Sequence, residues 1–153
     1  MKLFRRYFFI TLYTLSCLVG VANIAAAELP PVFSPDNVAI NGYDPVGYFA
    51  DGQPVKGNKD YSVVWRGTTW HFASEANRDQ FEMNPAAYAP QYGGYCAYAM
   101  SRGYTATTAP EAWRIVDDKL YLNYSLNVRE IWSQDIPGNI KKADRNWPDV
   151  LKK

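Results

Sequence analysis

Tyr61-Ser62-Val63-Val64-Trp65-Arg66-Gly67-Thr68-Thr69-Trp70-His71-Phe72-Ala73-Ser74-Glu75 is the stretch from which the fold can be read. Two runs rich in β-branched and aromatic residues flank Arg66-Gly67, and a glycine at that place is a hairpin-turn signal. Ser74 follows as a helix N-cap, and Glu75 falls in the first turn, where a negative charge suits the helix dipole. The expected helix runs to about Asn84, with Ala76, Phe81 and Met83 as inward residues. Pro85 either stops it or opens a second short helix to Tyr88.

Outward from this stretch, the same kind of signal occurs once more. Trp113-Arg114-Ile115-Val116 and Leu120-Tyr121-Leu122-Asn123 are joined by Asp117-Asp118-Lys119, a second expected hairpin. Ser125 caps a helix expected through about Gln134, with Leu126, Val128, Ile131 and Trp132 as its apolar set. Ile136-Pro137-Gly138 breaks it. Residues 139–153 form a last helical stretch interrupted by Pro148, with Ile140 and Trp147 as anchors. Before the first hairpin, residues 29–37 hold three prolines and read as an extended lead-in, while Asn41-Gly42 and Asp51-Gly52 are turn signals. No internal repeat stands out, and there is no βαβ series. The expected fold is α+β: a small antiparallel sheet of two hairpins with short helices packed on it.

The N-terminus reads as a targeting segment. Lys2, Arg5 and Arg6 precede a nearly continuous apolar run over residues 7–21, and Ala25-Ala26-Ala27 offers a small-x-small cleavage site. The run is short for a bilayer span. We therefore expect a signal peptide over 1–27 and a single domain over 28–153, periplasmic or secreted, with no membrane attachment after cleavage. The apolar run favours the general secretory route. Arg5-Arg6-Tyr7-Phe8-Phe9 resembles a twin-arginine core, although Phe4 stands where a small hydroxyl residue is usual. Cys17 lacks the flanking pattern of a lipoprotein cysteine.

Charge excludes one class of partner. Three of the 16 Lys and Arg residues lie within the first six positions, and all 15 Asp and Glu lie beyond Ala27. The remainder is mildly acidic and has no basic field for nucleic acid. Of two cysteines in the chain, Cys96 alone lies beyond the targeting segment, so that part cannot form an internal disulfide. A solitary thiol in an oxidising compartment is buried, metal-bound, paired with another chain, or reactive.

Cys96 lies in Gln91-Tyr92-Gly93-Gly94-Tyr95-Cys96-Ala97-Tyr98-Ala99-Met100. The paired glycines free the backbone for a close approach. Two readings stand side by side: an inert thiol in a packed turn, or a sulfur held for metal or redox chemistry. His71, the only histidine, is either a satisfied strand residue or a ligand. Met100 and Met83 carry thioethers that suit copper(I), or they fill core space. The short Cys-His-Met spacing of blue-copper loops is missing. Tyr92, Gly93, Gly94, Tyr95 and Tyr98 are candidates for an aromatic ligand pocket, with core packing as the plainer alternative. Asp44, Asp117 and Asp118 show no paired-carboxylate spacing and read as turn residues. No nucleophile elbow, phosphate loop, HExxH or haem-attachment motif is present.

These residues resemble the YHS family of small metal-associated domains. The resemblance rests on Asn41-Gly42-Tyr43-Asp44-Pro45-Val46, Trp70-His71-Phe72-Ala73-Ser74, Asn77-Arg78-Asp79-Gln80-Phe81 and Asn84-Pro85-Ala86-Ala87-Tyr88. It implies a treble-clef-like core over about 37–104, extended by a C-terminal hairpin and helices over 105–153. The Gly93-Gly94-Tyr95-Cys96-Ala97 segment is similar to an exported branch of the family. Metal-binding relatives place cysteines where this chain has Gly47, Ala73 and Asn77, so the family's Cys-rich zinc-type site is absent. What the resemblance leaves is a binding or accessory protein. It would handle a metal ion, copper first, through Cys96 with His71 and Met100. The alternative is a metal-free structural module that binds a small ligand or partner protein through Tyr92–Tyr98. Enzyme chemistry at Cys96 would require an accessible thiolate beside a cation or histidine.

Overall fold

Arg66 and Gly67 both adopt positive φ, 51° and 74°, the backbone that matches the right-handed twist of a hairpin's strands. They join β1 (Asn58–Trp65) to β2 (Thr68–Phe72). The computed structural model describes residues 28–152; the expected targeting segment lies outside them. β2 alternates in burial, with Thr68, Trp70 and Phe72 inward. Ser74 then caps α2 (Glu75–Met83), its hydroxyl accepting from the Asn77 N–H at 3.2 Å. Pro85 opens a separate short helix, α3 (Pro85–Tyr88), as suits a residue with no N–H to donate. A one-turn helix, α1 (Gly47–Ala50), precedes the hairpin.

The second part of the chain starts at a 3-10 turn over Gln91–Gly94 and continues into α4 (Ala97–Ser101). β3 (Ala109–Val116) and β4 (Lys119–Asn123) form the second hairpin, with Asp117 and Asp118 at φ 50° and 57° in its turn. Ser125 caps α5 (Leu126–Ser133) through the Val128 N–H at 3.2 Å. α6 (Ile136–Asn146) follows at once, capped by Asp135 and carrying Pro137 in its first turn. Pro137 and Gly138 thus start the last long helix rather than only ending the one before. Among the described residues no helix is long and apolar enough to cross a membrane.

The α+β class stands, but the two hairpins form two separate two-stranded sheets rather than one. They are joined by side chains. β4 is buried on both faces: Leu120 and Leu122 enter a core with Trp70, Phe72, Phe81 and Ile40, while Tyr121 enters a second core with Tyr92, Met100 and Trp132. Three expected inward residues point outward. Met83 is 79 % exposed, and Leu126 and Ile131 are also exposed; on each helix one aromatic, Phe81 or Trp132, supplies the fully buried contact instead.

The feature that fixes the first hairpin and α2 relative to the turn before them is a carboxylate. Asp44 is fully buried. One oxygen accepts from the N–H groups of Val46 (2.8 Å) and Gly47 (3.3 Å), and the other from the Ala73 N–H (2.8 Å) and Asn77 Nδ2 (2.7 Å). A buried charge is tolerable when its lone pairs are filled in this way. Its role goes beyond that of a local turn residue, because two of the four donors are far along the chain. Asp44→Ala leaves all four donors without this acceptor, each costing about 1–3 kcal/mol where buried. The unfolding free energy in urea is expected to fall by about 4 kcal/mol, and Asp44→Asn, which keeps one acceptor oxygen, by less.

Candidate functional site

Cys96 precedes α4 and caps it with sulfur. Its Sγ accepts from the Ala99 N–H at 3.5 Å and from the Tyr124 N–H, at the end of β4, at 3.3 Å. The Asn123 Oδ1 lies 3.8 Å from the same sulfur and accepts the Tyr98 N–H at 3.2 Å. The residue as a whole is only 1 % exposed, yet it lines a pocket of about 280 Å³ together with Tyr98, Ala99, Tyr104, Ala106, Tyr124 and Val128. Cys96 and Ala99, the most buried of these, form the floor. Tyr104 and Tyr124, both more than half exposed, form the rim. The thiol is therefore neither sealed in a featureless core nor open at the surface.

The other expected metal ligands do not line this pocket. His71 faces an open depression lined by Asp36, Val38, Asn41, Gly42 and Lys56. Met100 is fully buried in the second core, and Met83 is at the surface. Among the described residues no three His, Cys, Asp or Glu side chains gather where they could hold a metal ion. Gly47, Ala73 and Asn77, where metal-binding relatives would carry cysteines, all donate to Asp44. That place is occupied by a hydrogen-bonded carboxylate, and the residues present do not fit the family's metal.

The aromatic Gly-Gly segment is largely used internally. Gly93 meets the lead-in: a Cβ there would stand 2.0 Å from the Pro31 carbonyl oxygen, and the Phe33 N–H donates to the Gly93 carbonyl. Gly94 packs on Ile40. The Tyr95 hydroxyl donates to the Pro30 carbonyl at 3.0 Å. Tyr92 is buried and donates to Asp144 Oδ1 at 2.8 Å; with Gly93 it edges a shallow depression beside Trp65, Arg66 and Trp147. Of the five expected ligand residues only Tyr98 lines the Cys96 pocket, with Arg102 stacked on its ring at 4.9 Å. Tyr104, Tyr124 and Val128 were not singled out for a ligand role from sequence, because they come together only when β4 and α5 fold against α4.

Burial, and then the Asp144 hydrogen bond, raise the Tyr92 pKa far above the usual tyrosine value; burial does the same at Tyr48. The unfolded chain releases these protons near pH 10, while the folded chain retains them. The stabilisation is thus whole below about pH 10 and is lost as pH rises above it. Urea titrations from pH 9 to 11.5 should show falling stability. Tyr92→Phe should make the fall shallower, by up to about 1.4 kcal/mol per pH unit.

One comparison with known proteins gives a match. Residues 46–92 match the family described as YHS domain, a span that begins beside Asp44 and ends in the turn before Cys96. No curated protein and no solved structure matched the chain. The residue pattern and the family match agree over residues 46–92, and this stretch resembles a YHS domain.

Proposed function

We propose that this protein is an exported YHS-type binding module that takes up a small, largely apolar molecule at the Cys96 pocket without a metal ion. The observation that carries the reading is the pocket's composition: one sulfur on the floor, an aromatic rim, and alanine and valine walls. At about 280 Å³ it lies just under the usual range of ligand cavities, about 300 to 1,000 Å³, which restricts it to a small guest. Two backbone N–H groups fix the sulfur's lone pairs. A polarizable sulfur beside aromatic rings favours an apolar or aromatic guest. Copper(I) selects sites with several soft donors, and this pocket offers one sulfur and no imidazole. The leader-like residues 1–27 support action outside the cytoplasm, where a shielded thiol escapes random oxidation.

The test is thiol labelling of native protein at neutral pH. A phenyl-sized apolar maleimide should modify one thiol per chain. Burying about 50 Å² more apolar surface than a charged sulfonate analogue, it should react roughly tenfold faster. Phenol added as a competitor should slow it, and Cys96→Ser should abolish labelling. Labelling that appears only when the chain is unfolded would defeat the proposal. So would near-stoichiometric copper or zinc in protein purified from the periplasm that is lost in Cys96→Ser.

A further inference from the structure

We infer that the chain is built from two copies of one structural unit, and that the Cys96 pocket is the second copy's counterpart of the Asp44 carboxylate site. The order of elements repeats. A 3-10 turn over Ala39–Gly42 leads to Asp44, α1, the β1–β2 hairpin, a serine cap and α2. The 3-10 turn over Gln91–Gly94 leads to Cys96, α4, the β3–β4 hairpin, a serine cap and α5. Common hairpins and caps alone would not establish kinship, but the unusual features repeat with them.

Each opening turn holds three consecutive residues at positive φ: Ile40, Asn41 and Gly42 at 44°, 58° and 74°, and Tyr92, Gly93 and Gly94 at 54°, 63° and 86°. A bulky residue in that region is an outlier, and here one stands at the same step of both turns. A tyrosine follows each turn and donates its N–H back to the first of those residues, Tyr43 to Ile40 and Tyr95 to Tyr92. The next residue donates to a carbonyl ahead of the strand, Asp44 to Val55 and Cys96 to Ala106. The glycine carbonyls are taken in the same way, Gly42 by the Gly57 N–H and Gly94 by the Thr108 hydroxyl. Both hairpins lose register at the same place, between Asn58 and Ser62 and between Ala109 and Trp113. Each sheet sets an aromatic at the same step against its helix aromatic with a similar tilt, Trp70 on Phe81 at 5.1 Å and 32° and Tyr121 on Trp132 at 5.3 Å and 35°, although in the first sheet Trp65 and Phe72 also pack on Phe81.

The acceptors correspond in role. Ala73 N–H donates to the Asp44 carboxylate, and Tyr124 N–H, at the matching step after β4, donates to the Cys96 sulfur. Gly47 and Ala99 N–H groups do so from the helix side. The Val46 N–H goes to Asp44, whereas its counterpart at Tyr98 goes to Asn123, so Cys96 and Asn123 share what one carboxylate does alone. Asn77 closes the first site with its amide; Val128, in its place on α5, has no amide to give and instead lines the pocket. Cys96, Ala99, Tyr124 and Val128 of the pocket are thus the counterparts of Asp44, Gly47, Ala73 and Asn77. One site is filled by hydrogen bonds, and the other is left open. The family match runs from Val46, just past Asp44, to Tyr92 in the second opening turn, and so takes in the hairpin and helix of the first unit but not those of the second.

The test grafts one site's chemistry into the other and reads folding, so its outcome is independent of whether the pocket binds a ligand. Cys96→Asp places a carboxylate beside the Ala99 and Tyr124 N–H groups. Adding Val128→Asn supplies the amide that Asn77 gives to Asp44. Equivalence predicts that the double variant recovers at least half of the melting-temperature loss of Cys96→Asp, while Val128→Thr in the same background recovers none. Additive shifts, or equal recovery with threonine, would overturn the inference. If neither carboxylate variant folds, the reciprocal graft decides: Asp44→Cys with Asn77→Val in Cys96→Ser. A folded protein whose thiol is labelled in the native state upholds equivalence; an unfolded or unlabelled one refutes it.

Discussion

A buried carboxylate that must be fully hydrogen-bonded organises this molecule. Asp44 is out of contact with water and accepts from a turn, from the residue after β2 and from the first turn of α2. Removing one donor leaves a lone pair unfilled in a low-dielectric site, so the three elements are fixed as a set rather than one by one. The constraint also explains why the places where the family resemblance calls for cysteines are unavailable to a metal. Their backbone and side-chain donors already face an anion.

Around the second turn the acceptor is sulfur, a weaker hydrogen-bonding group than a carboxylate. It fills fewer of the surrounding valences, and Asn123 takes over one donor with its amide oxygen. The Asn123 Nδ2 is left without a partner in the described structure. Trading a charge and an amide for a thiol and a valine leaves space where the first site has none, and Tyr104 and Tyr124 stand at its mouth. Openness here follows from the smaller hydrogen-bonding capacity of the thiol and valine. Strand β4, buried on both faces, sends side chains into both cores and so ties them together.

Local signals in the sequence were sufficient for much of the framework. The turn glycine at Gly67, the serines at 74 and 125 and the proline at 85 each act through neighbours a few residues away, and each is found in its expected role. Long-range partners were not legible. Nothing local marks Asp44 as different from Asp117, since its distinguishing donors are Ala73 and Asn77. The inward faces of α2 and α5 were misread at Met83, Leu126 and Ile131 because hydrophobicity alone does not say which side meets a hairpin. Repetition was hidden for a related reason. The second unit retains backbone conformation and side-chain roles while changing identity, Phe81 to Trp132, Trp70 to Tyr121, Asp44 to Cys96, and a search for similar letters passes over it. The separation of His71 from Cys96 likewise depends on which hairpin faces which pocket.

On the proposed function, the Cys96 sulfur, which accepts two backbone hydrogen bonds, is reached from within the native fold. Amide hydrogen exchange before and after alkylation of Cys96 tests this directly. Protection should be lost at Ala99 and Tyr124, whose N–H groups point at the sulfur, and retained at Ala73 and Val46, which point at Asp44. Loss of protection throughout both cores on alkylation, or no change at Tyr124, would contradict it.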